Sequence, residues 1–369
     1  MERWMVSSTN TFDSMIKRKA ILIYTSFSTF VREDYQILSS EYEVTKYHFI
    51  ALKSVCKLLN SLFKQFFFCL FYLKRYELIF IWFADYHAAI PIFFGKLFSK
   101  KTVIVIGGYD AVYIPSIDYG VFKPKTIRSI FSRYSLRNTS HILPVDQCLV
   151  SSINSFAGLV EKGYKVGVSN FVNGIKGQIE VVPTGYDPSI WERDKSVIRR
   201  LSVITIAAVY EEKTFKVKGI DFLLEIAKLM PKTTFSIVGL GGSMLEFVKL
   251  EAPHNVKFHG FVQHHNLPTL LSEHKVYTQL SLSEGLPNAL CEAMLCECIP
   301  VGSSVGGIPK GIGKAGFILQ KKDVNEAVRL IQLALDSDES LGKLARQHIV
   351  DNFPFDLRKN RILSILNSD

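Results

Sequence analysis

The stretch VYTQLSLSEGLPNALCEAM, residues 276–294, reads as a buried strand that runs directly into a helix. Pro287 or Asn288 can begin that helix, because the first helical amides have no hydrogen-bond partner within it. These amides and the helix dipole can together hold an anion such as a phosphate group. A strand that delivers a loop to an anion-binding helix tip is typical of doubly wound α/β folds.

Two carboxylates flank this helix tip. Glu284 follows the strand, and Glu292 lies about one turn inside the helix. Carboxylates beside a phosphate site can recognise the hydroxyl groups of a ligand whose phosphates occupy the tip. The alternative is that Glu284 is a simple charge near the helix cap and Glu292 a solvated helical residue, and the spacing alone does not decide between them.

The same alternation of apolar runs and amphipathic stretches continues on both sides, as expected for βα units that feed parallel sheets. The predicted strands cover residues 20–26, 77–83, 102–108, 141–145 and 179–185 in the first half, and 201–209, 233–239, 256–260, 276–281 and 299–304 in the second. Predicted helices include residues 218–230 and 325–337.

A chain of 369 residues exceeds the usual size of one hydrophobic core, so two domains are expected. The stretch VPTGYDPSIWERDKS, residues 182–196, is the best linker candidate because it contains Pro, Gly and a cluster of polar residues. We therefore predict two Rossmann-like domains, residues 1–190 and 191–354, that face each other across a cleft. Ligands in such folds bind at the carboxyl ends of the strands.

The charge is concentrated in the first domain. The net charge is +10, and nine of these excess positive charges fall within residues 1–180. This asymmetry predicts an anionic partner, either a membrane surface or a charged substrate, although a solvated basic face would give the same count. Nucleic acid is not expected, since no zinc-finger spacing or RNP-like motif is present. The six cysteines include no CxxC pair, which fits a reducing cytoplasm better than a disulfide framework.

Residues 53–75 combine lysines with phenylalanines. On a helical wheel, Lys57, Lys64 and Arg75 lie within about 40° of Lys53. Phe67, Phe68 and Phe71 fall on or near this basic face, whereas Val55, Leu59, Leu62, Phe66 and Leu73 collect on the other side. The pattern predicts a helix that lies in the plane of an anionic membrane. The alternative is a shorter helix whose rings belong to the core. The apolar run is too short and too interrupted to span a bilayer.

Other candidate site residues follow predicted strands. Lys213, Lys216 and Lys218 precede a helix, and a lysine there can neutralise the charge on a departing diphosphate without a metal. The paired glycines Gly107 and Gly108 allow close backbone approach to a ligand.

Asp110 comes directly after the glycine pair and either caps a tight turn or takes part in the chemistry. His87 also follows a strand, and a structural role is favoured for it. No metal cluster is expected. The glycines at 239, 241 and 242 do not complete a G-x-G-x-x-G fingerprint, so a dehydrogenase is disfavoured.

These motifs resemble the Glu-x7-Glu region of retaining GT-B glycosyltransferases of family 4. The resemblance covers about residues 180–320 and includes VPTGYDPSIW, VKGIDFLLEIAKLM, IVGLGG and FHGFV besides the stretch quoted first. It implies a hexosyltransferase-type enzyme with a nucleotide-sugar donor on the second domain and a glycan or lipid-linked acceptor on the first. It also implies that residues 355–369 pack back on the first domain, and that neither a metal nor another cofactor is needed.

The resemblance also implies individual roles. Glu284 and Gly285 would contact the donor sugar, Glu292 the ribose hydroxyls, and Lys218 the diphosphate. The amides of Asn288, Ala289 and Leu290 would hold the same diphosphate.

Two positions depart from the family pattern. The usual Gly-Arg pair is replaced in the strand that reads IAAVYEEK, so Lys213 or Lys216 is a candidate substitute. The usual His of the first domain is missing after the strand that ends in IGGYD, so its role either passes to Asp110 or lapses, while Gly108 is a candidate for binding the donor. We expect a cytoplasmic enzyme, peripheral on the plasma membrane, that builds an envelope polysaccharide such as lipopolysaccharide. The rival hypotheses are a nucleotide-sugar epimerase and a catalytically inactive subunit that binds sugar nucleotides.

Overall fold

Buried apolar runs form the strands of two parallel sheets, one in each half of the chain. The computed structural model describes residues 17–50, 54–156 and 163–368. Within them, each half of the chain forms one six-stranded parallel sheet. We call the lobes built on these sheets the N-lobe and the C-lobe. The predicted pair of doubly wound parallel-sheet domains is confirmed.

The N-lobe alternates strands with helices. Its strands are β1 (Arg18–Tyr24), β2 (Tyr42–His48), β3 (Leu78–Trp82), β4 (Lys101–Ile106), β5 (His141–Pro144), β6 (Ser152–Asn154), β7 (Tyr164–Val166) and β8 (Gln178–Ile179). Its helices are α1 (Thr29–Glu41), α2 (Val55–Tyr72), α3 (Tyr86–Leu97), α4 (Ile127–Asn138) and α5 (Val168–Phe171). The sheet has the strand order β2-β1-β3-β4-β5-β8. The strands β6 and β7 pair with each other as a separate antiparallel hairpin.

The C-lobe repeats this plan. Its strands are β9 (Arg200–Val209), β10 (Thr234–Leu240), β11 (Val256–His259), β12 (His274–Gln279), β13 (Ile299–Ser303) and β14 (Phe317–Leu319). Its helices are α6 (Glu212–Val217), α7 (Ile220–Leu229), α8 (Ser243–Glu251), α9 (Leu267–Ser272), α10 (Asn288–Leu295), α11 (Ile308–Ile312), α12 (Val324–Asp336) and α13 (Glu339–Asn352). The sheet has the strand order β11-β10-β9-β12-β13-β14. A last helix, α14 (Phe355–Asn367), follows α13.

The predicted helix 218–230 is wrong at its start. The structure has two helices there, α6 and α7, with Lys218 and Gly219 between them. Gly219 adopts φ = +66°, and a Cβ atom there would lie 2.1 Å from the carbonyl oxygen of Leu280. The break therefore lets Lys218 approach the strand end that leads to Glu284.

Two chain segments cross between the lobes and pair with each other. The amide of Tyr186 donates to the carbonyl of Phe353 at 2.9 Å, and that of Phe355 donates to the carbonyl of Tyr186 at 3.1 Å. The helix α14 then packs against α1 of the N-lobe, where Arg358 forms a two-pronged ion pair with Asp34. The last helix thereby joins the crossing segments to the N-lobe.

Helix α2 exposes part of the apolar side that lies opposite its lysines on the helical wheel. Val55, Leu59 and Phe66 are 70%, 60% and 40% exposed, while Gln65 and Cys69 are buried. The reason is that only a narrow stripe of α2 contacts the rest of the N-lobe, and much of this contact is with α3. Lys53, the reference for the wheel, lies outside the described residues. Among those that are described, no helix has the length and apolar character needed to cross a bilayer.

Candidate active site

A cavity of about 280 Å³ lies between the lobes, where the carboxyl ends of the two sheets face each other. Phe83 and the Gly107–Gly108 pair approach from the N-lobe, after β3 and β4. The C-lobe supplies Gln279 at the end of β12 and the residues at the start of α10. The predicted residues that line the cavity are Gly108, Lys218, Glu284, Asn288 and Ala289. This is the position expected for a ligand in two facing doubly wound lobes.

Glu284 is held by three donors at one carboxylate oxygen. Its Oε1 accepts hydrogen bonds from Lys218 Nζ at 2.6 Å, Ser281 Oγ at 2.8 Å and Gln279 Nε2 at 3.2 Å. The other oxygen, Oε2, has no hydrogen bond to any residue that the structure describes. Glu284 is therefore fixed through one oxygen, and the second can accept from a ligand hydroxyl.

The start of α10 offers unpaired amides to the cavity. Pro287 occupies the cap position and has no side chain that could bond to them. The Asn288 side chain accepts from the Tyr186 hydroxyl at 2.8 Å, which ties the helix tip to the segment that crosses between the lobes. The amides of Asn288, Ala289 and Leu290 are thus left for a ligand, and an anion there gains from the helix dipole.

Gly285 lies against the glycine pair of the N-lobe. A Cβ atom at this position would lie 2.6 Å from the carbonyl oxygen of Gly107. Gly108, at φ = +146°, faces the amide of Gly285 across the same gap. The paired glycines were predicted to permit close approach to a ligand. The structure shows that Gly108 permits close approach of the loop of the opposite lobe, and the approach of a ligand stays a prediction.

Asp110 lies behind the glycine pair and is fully buried. Its carboxylate accepts from the backbone amides of Ala84, Gly107 and Gly108 at 3.0–3.1 Å. Burial raises the pKa of Asp110 to about 6, and these amide bonds act in the opposite direction. The geometry gives Asp110 a part in shaping the glycine turn, and its catalytic role stays a prediction.

His87 is buried, with 1% of its surface exposed. Its Nε2 donates to the backbone carbonyl of Trp82 at 2.7 Å, and burial lowers its pKa. This placement agrees with the structural role that the sequence favoured.

Glu292 lies inside α10 with only 5% of its surface exposed, away from the lining of the cavity. Burial raises the pKa of its carboxyl group, and His264 partly offsets this effect. His264 Nε2 is 3.9 Å from Glu292 Oε1, which is beyond a hydrogen bond but close enough for an ion pair when the imidazole is protonated. The solvated alternative for Glu292 is therefore wrong, while its contact with a ribose stays a prediction.

The structure separates the three candidate lysines. Lys218 lines the cavity, whereas Lys213 reaches across to the N-lobe and bonds Asp118 Oδ2 at 2.7 Å. Lys123 and Lys213 together lower the pKa of Asp118 to about 2. Lys216 pairs with Glu212 on the surface at 2.6 Å. In this arrangement neither Lys213 nor Lys216 stands where a diphosphate at the helix tip would need it.

Several residues that the sequence reasoning missed contribute to the site. The N-lobe adds the aromatic side chains Phe30, Phe83, Tyr109 and Tyr119 to the cavity lining. Gln279 and Ser281, which position Glu284, stand two residues apart at the end of a strand. That period-two spacing of polar residues was the available signal, because alternate strand residues share a face.

The family comparison matches part of the C-lobe. Residues 206–349 match the model of the family "Glycosyl transferases group 1". One of the subunits of phosphatidylinositol N-acetylglucosaminyltransferase from Homo sapiens is 28% identical over 253 residues, which cover 65% of this chain and 51% of that protein. A trehalose synthase of Pyrococcus furiosus is 39% identical over 98 residues, 25% of this chain and 23% of that protein. The chain thus spans about half the length of these relatives, or less.

Solved structures share the fold across both lobes. Sucrose-phosphate synthase from Thermosynechococcus elongatus has a TM-score of 0.71 at 15% identity and covers 95% of this chain and 98% of its own. The Anabaena protein HepE, solved in complex with UDP and glucose, has a TM-score of 0.65 at 14% identity. Its match covers 95% of this chain and 99% of its own. Residues 206–349 therefore match a glycosyl transferases group 1 domain, and the two lobes together have a fold of the GT-B type.

Proposed function

We propose that the chain is a glycosyltransferase that moves a sugar from a nucleotide-sugar donor to a hydroxyl group of a glycan or lipid-linked acceptor. The observation that carries this proposal is the Lys218–Glu284 pair, which stands beside the open tip of α10 in the interlobe cavity. A donor diphosphate fits the amides of the tip, and its sugar then lies beside Glu284 Oε2. Relatives named as N-acetylglucosaminyltransferase and trehalose synthase support the same class of reaction.

The proposed reaction relies on positioning and charge. As the bond between the sugar and the diphosphate breaks, negative charge grows on the leaving oxygen, and the ammonium of Lys218 and the α10 amides stabilise it. The leaving phosphate takes the proton of the acceptor hydroxyl, which attacks from the same face, so the sugar keeps its anomeric configuration. No step in this scheme needs a metal ion, and the lobes hold both substrates in reacting geometry.

Glu292 is proposed to bind the ribose. A buried carboxylate without a hydrogen bond is costly, and the two ribose hydroxyls can supply the donors that it lacks. At 3.9 Å, the imidazole of His264 is too far away to supply a hydrogen bond to Oε1.

Incubation with a panel of nucleotide sugars in EDTA tests the proposal. We expect one donor to raise the melting temperature and to release nucleoside diphosphate once an acceptor or water is available. The variant Glu292→Ala should lose most of both effects. Each hydrogen bond from a ribose hydroxyl to the charged carboxylate contributes about 1.5–3 kcal/mol to donor binding. Calorimetry and diphosphate release provide the two measurements.

The outcomes separate the rival functions. Stabilisation without release, even with membrane lipid extract added, identifies a binding subunit. Conversion of the donor into an isomeric nucleotide sugar without acceptor identifies an epimerase. No response to any donor contradicts the proposed site as a whole.

We further propose that the enzyme works on an anionic membrane surface, where it builds an envelope polysaccharide. The helix α2 supports this part, since Leu59, Phe63 and Phe71 are each about 60% exposed at helical spacing. On the adjoining helix α3, Phe93 and Leu97 extend the apolar surface. The lysines of α2 are also exposed, so the helix combines rings that can enter the interface with charges that attract anionic lipid.

Loss of the phenylalanine rings should release the protein from membranes. Replacing Phe63, Phe67 and Phe71 together with serine should weaken sedimentation with anionic liposomes at least ten-fold, because a fully buried Phe contributes about 1.5–3 kcal/mol. Co-sedimentation at low salt is the measurement. The matched control replaces Phe247 and Leu250, which are 56% and 87% exposed on the C-lobe. Equal losses in both variants, or no binding by the unaltered protein, would remove this part of the proposal.

A further inference from the structure

A second cavity lies at the opposite edge of the C-lobe sheet from the candidate active site. It has a volume of about 200 Å³ and opens where the strands β9, β10 and β12 begin. We call it the back cavity and define it by Ser202, Ser236, Lys257, His259 and His274, which all line it. The carboxyl ends of the same strands face the interlobe cleft, so a ligand here would not overlap the proposed donor site.

The back cavity interrupts an apolar sheet face with a row of polar side chains. Ser202 and Ser236 are each 2% exposed, and His274 is 4% exposed. Ser202 Oγ lies 2.7 Å from His274 Nδ1, and Ser236 Oγ lies 3.3 Å from His259 Nε2. Strands of parallel sheets are normally buried by apolar side chains on both faces. Burying hydroxyl and imidazole groups here costs free energy that a bound polar ligand can offset.

One nitrogen of this row lacks a partner. His274 Nε2 is buried and has no hydrogen bond to any part of the chain that the structure describes. Burial, His259 and neighbouring cations lower the pKa of His274 to about 4, so its ring is neutral at pH 7. When Ser202 donates to Nδ1, the ring proton lies on Nε2. A buried N–H donor without an acceptor is rare in proteins, and an oxygen of a bound phosphate group would supply the acceptor.

The charge around the back cavity is positive. Arg200, Lys232 and Lys257 line it, together with the single carboxylate of Glu273. Glu273 lies 3.7 Å from Arg200, whereas Lys232 and Lys257 have no carboxylate within ion-pair distance among the described residues. Two cations are therefore left to attract an anion, and the cavity has room for a phosphate group.

We propose that the back cavity binds a phosphate group, with Lys232 and Lys257 neutralising its charge and His274 Nε2 donating to one oxygen. The site stands apart from the proposed transfer reaction and does not depend on it. Free inorganic phosphate and a phosphate ester share the chemistry that these residues recognise, so the source of the group is decided by experiment.

Equilibrium dialysis of the full chain with radiolabelled inorganic phosphate at low salt tests the proposal. We expect Lys257→Ala and His274→Gln each to weaken binding ten-fold or more. All variants are compared in a Lys218→Ala background, which weakens phosphate binding at the interlobe cavity, so that the remaining binding is mostly that of the back cavity. Lys343→Ala removes an exposed positive charge elsewhere on the C-lobe and is the matched control for net charge. Because Lys257 is exposed, its substitution tests the site even if the His274 variant fails to fold.

Each result decides the matter. Loss of binding when Lys257→Ala is added to the Lys218→Ala protein, without a similar loss when Lys343→Ala is added, supports the back cavity. Glycerol phosphate that displaces the label more strongly than unlabelled phosphate identifies an ester as the preferred ligand, and weaker displacement identifies the free ion. No phosphate binding by the Lys218→Ala protein, or equal weakening by Lys257→Ala and Lys343→Ala, would overturn the proposal.

Discussion

Replacing Lys218 with alanine is expected to slow the release of nucleoside diphosphate by about 10²–10³-fold, the usual effect of removing one group that stabilises transition-state charge. Lys218 is the lysine that lines the interlobe cavity beside the α10 tip, with 27% of its side chain exposed. Without its ammonium, the charge on the leaving diphosphate is met by the amides alone. The measurement is the rate of release from the donor selected by the nucleotide-sugar panel.

The same substitution at Lys216 separates the two sequence-based candidates. Lys216 is two residues away, 45% exposed and paired with Glu212 one helical turn earlier. Such a surface pair contributes about 0.3–0.5 kcal/mol to stability, so Lys216→Ala should leave both folding and turnover close to those of the unaltered protein. Equal rate losses in the two variants would mean that both lysines reach the diphosphate. Full activity in Lys218→Ala would contradict the proposed role of the ion pair.

Much of the fold was predictable because the central strands are continuous apolar runs. The predicted strands of the C-lobe agree with β9 to β13 within about two residues at most ends, as expected for strands buried on both faces. The edge strand β2 was missed because YEVTKYH mixes polar with apolar residues and is only partly buried. Residues 179–185 were assigned as a strand, whereas β8 covers only Gln178–Ile179, although the amides of Glu180 and Val182 still bond to carbonyls of β5.

The local part of the site was also predictable, and the long-range part was not. Glu284 and the α10 tip belong to one strand–loop–helix unit, so the sequence pattern contains them together. The partners of the other candidates come from distant positions. Lys213 bonds Asp118, which is 95 residues earlier in the opposite lobe. Glu292 of α10 lies near His264, which belongs to the loop before α9. No periodicity within a short window encodes such contacts.

The geometry of the lysines depends on a single backbone feature. Three lysines within six residues are equivalent on a sequence pattern, and the break at Gly219 decides which one faces the cavity. The amide of Leu282 donates to the carbonyl of Val217 at 2.7 Å, so the end of α6 is joined to the loop that carries Glu284. Lys218 follows that contact directly. The position of Lys218, the proposed catalytic cation, is thus set by tertiary packing.

Replacing Arg358 with alanine is expected to lower the free energy of unfolding by about 3–5 kcal/mol, the typical cost of leaving one buried charge without its partner. Arg358 is 1% exposed and donates to both carboxylate oxygens of Asp34 at 2.7 Å. It also donates to the carbonyls of Val182 and Pro183 in the segment that crosses between the lobes. Urea unfolding followed by tryptophan fluorescence is a suitable measurement, since Trp82 bonds the same carboxylate.

Two further variants show whether the effect comes from the unpaired charge. Arg361, one turn later in α14, is exposed and makes a single hydrogen bond to the carbonyl of Val181, so Arg361→Ala should cost about 1 kcal/mol or less. The double variant Arg358→Met with Asp34→Leu removes both charges and should recover much of the loss, because burying an ion pair is itself costly. If Arg358→Ala unfolds at the same urea concentration as Arg361→Ala, the buried pair does not hold α14 against the N-lobe. If the double variant is as unstable as the single one, the hydrogen bonds to the crossing segment, and not the unpaired Asp34, carry the stabilisation.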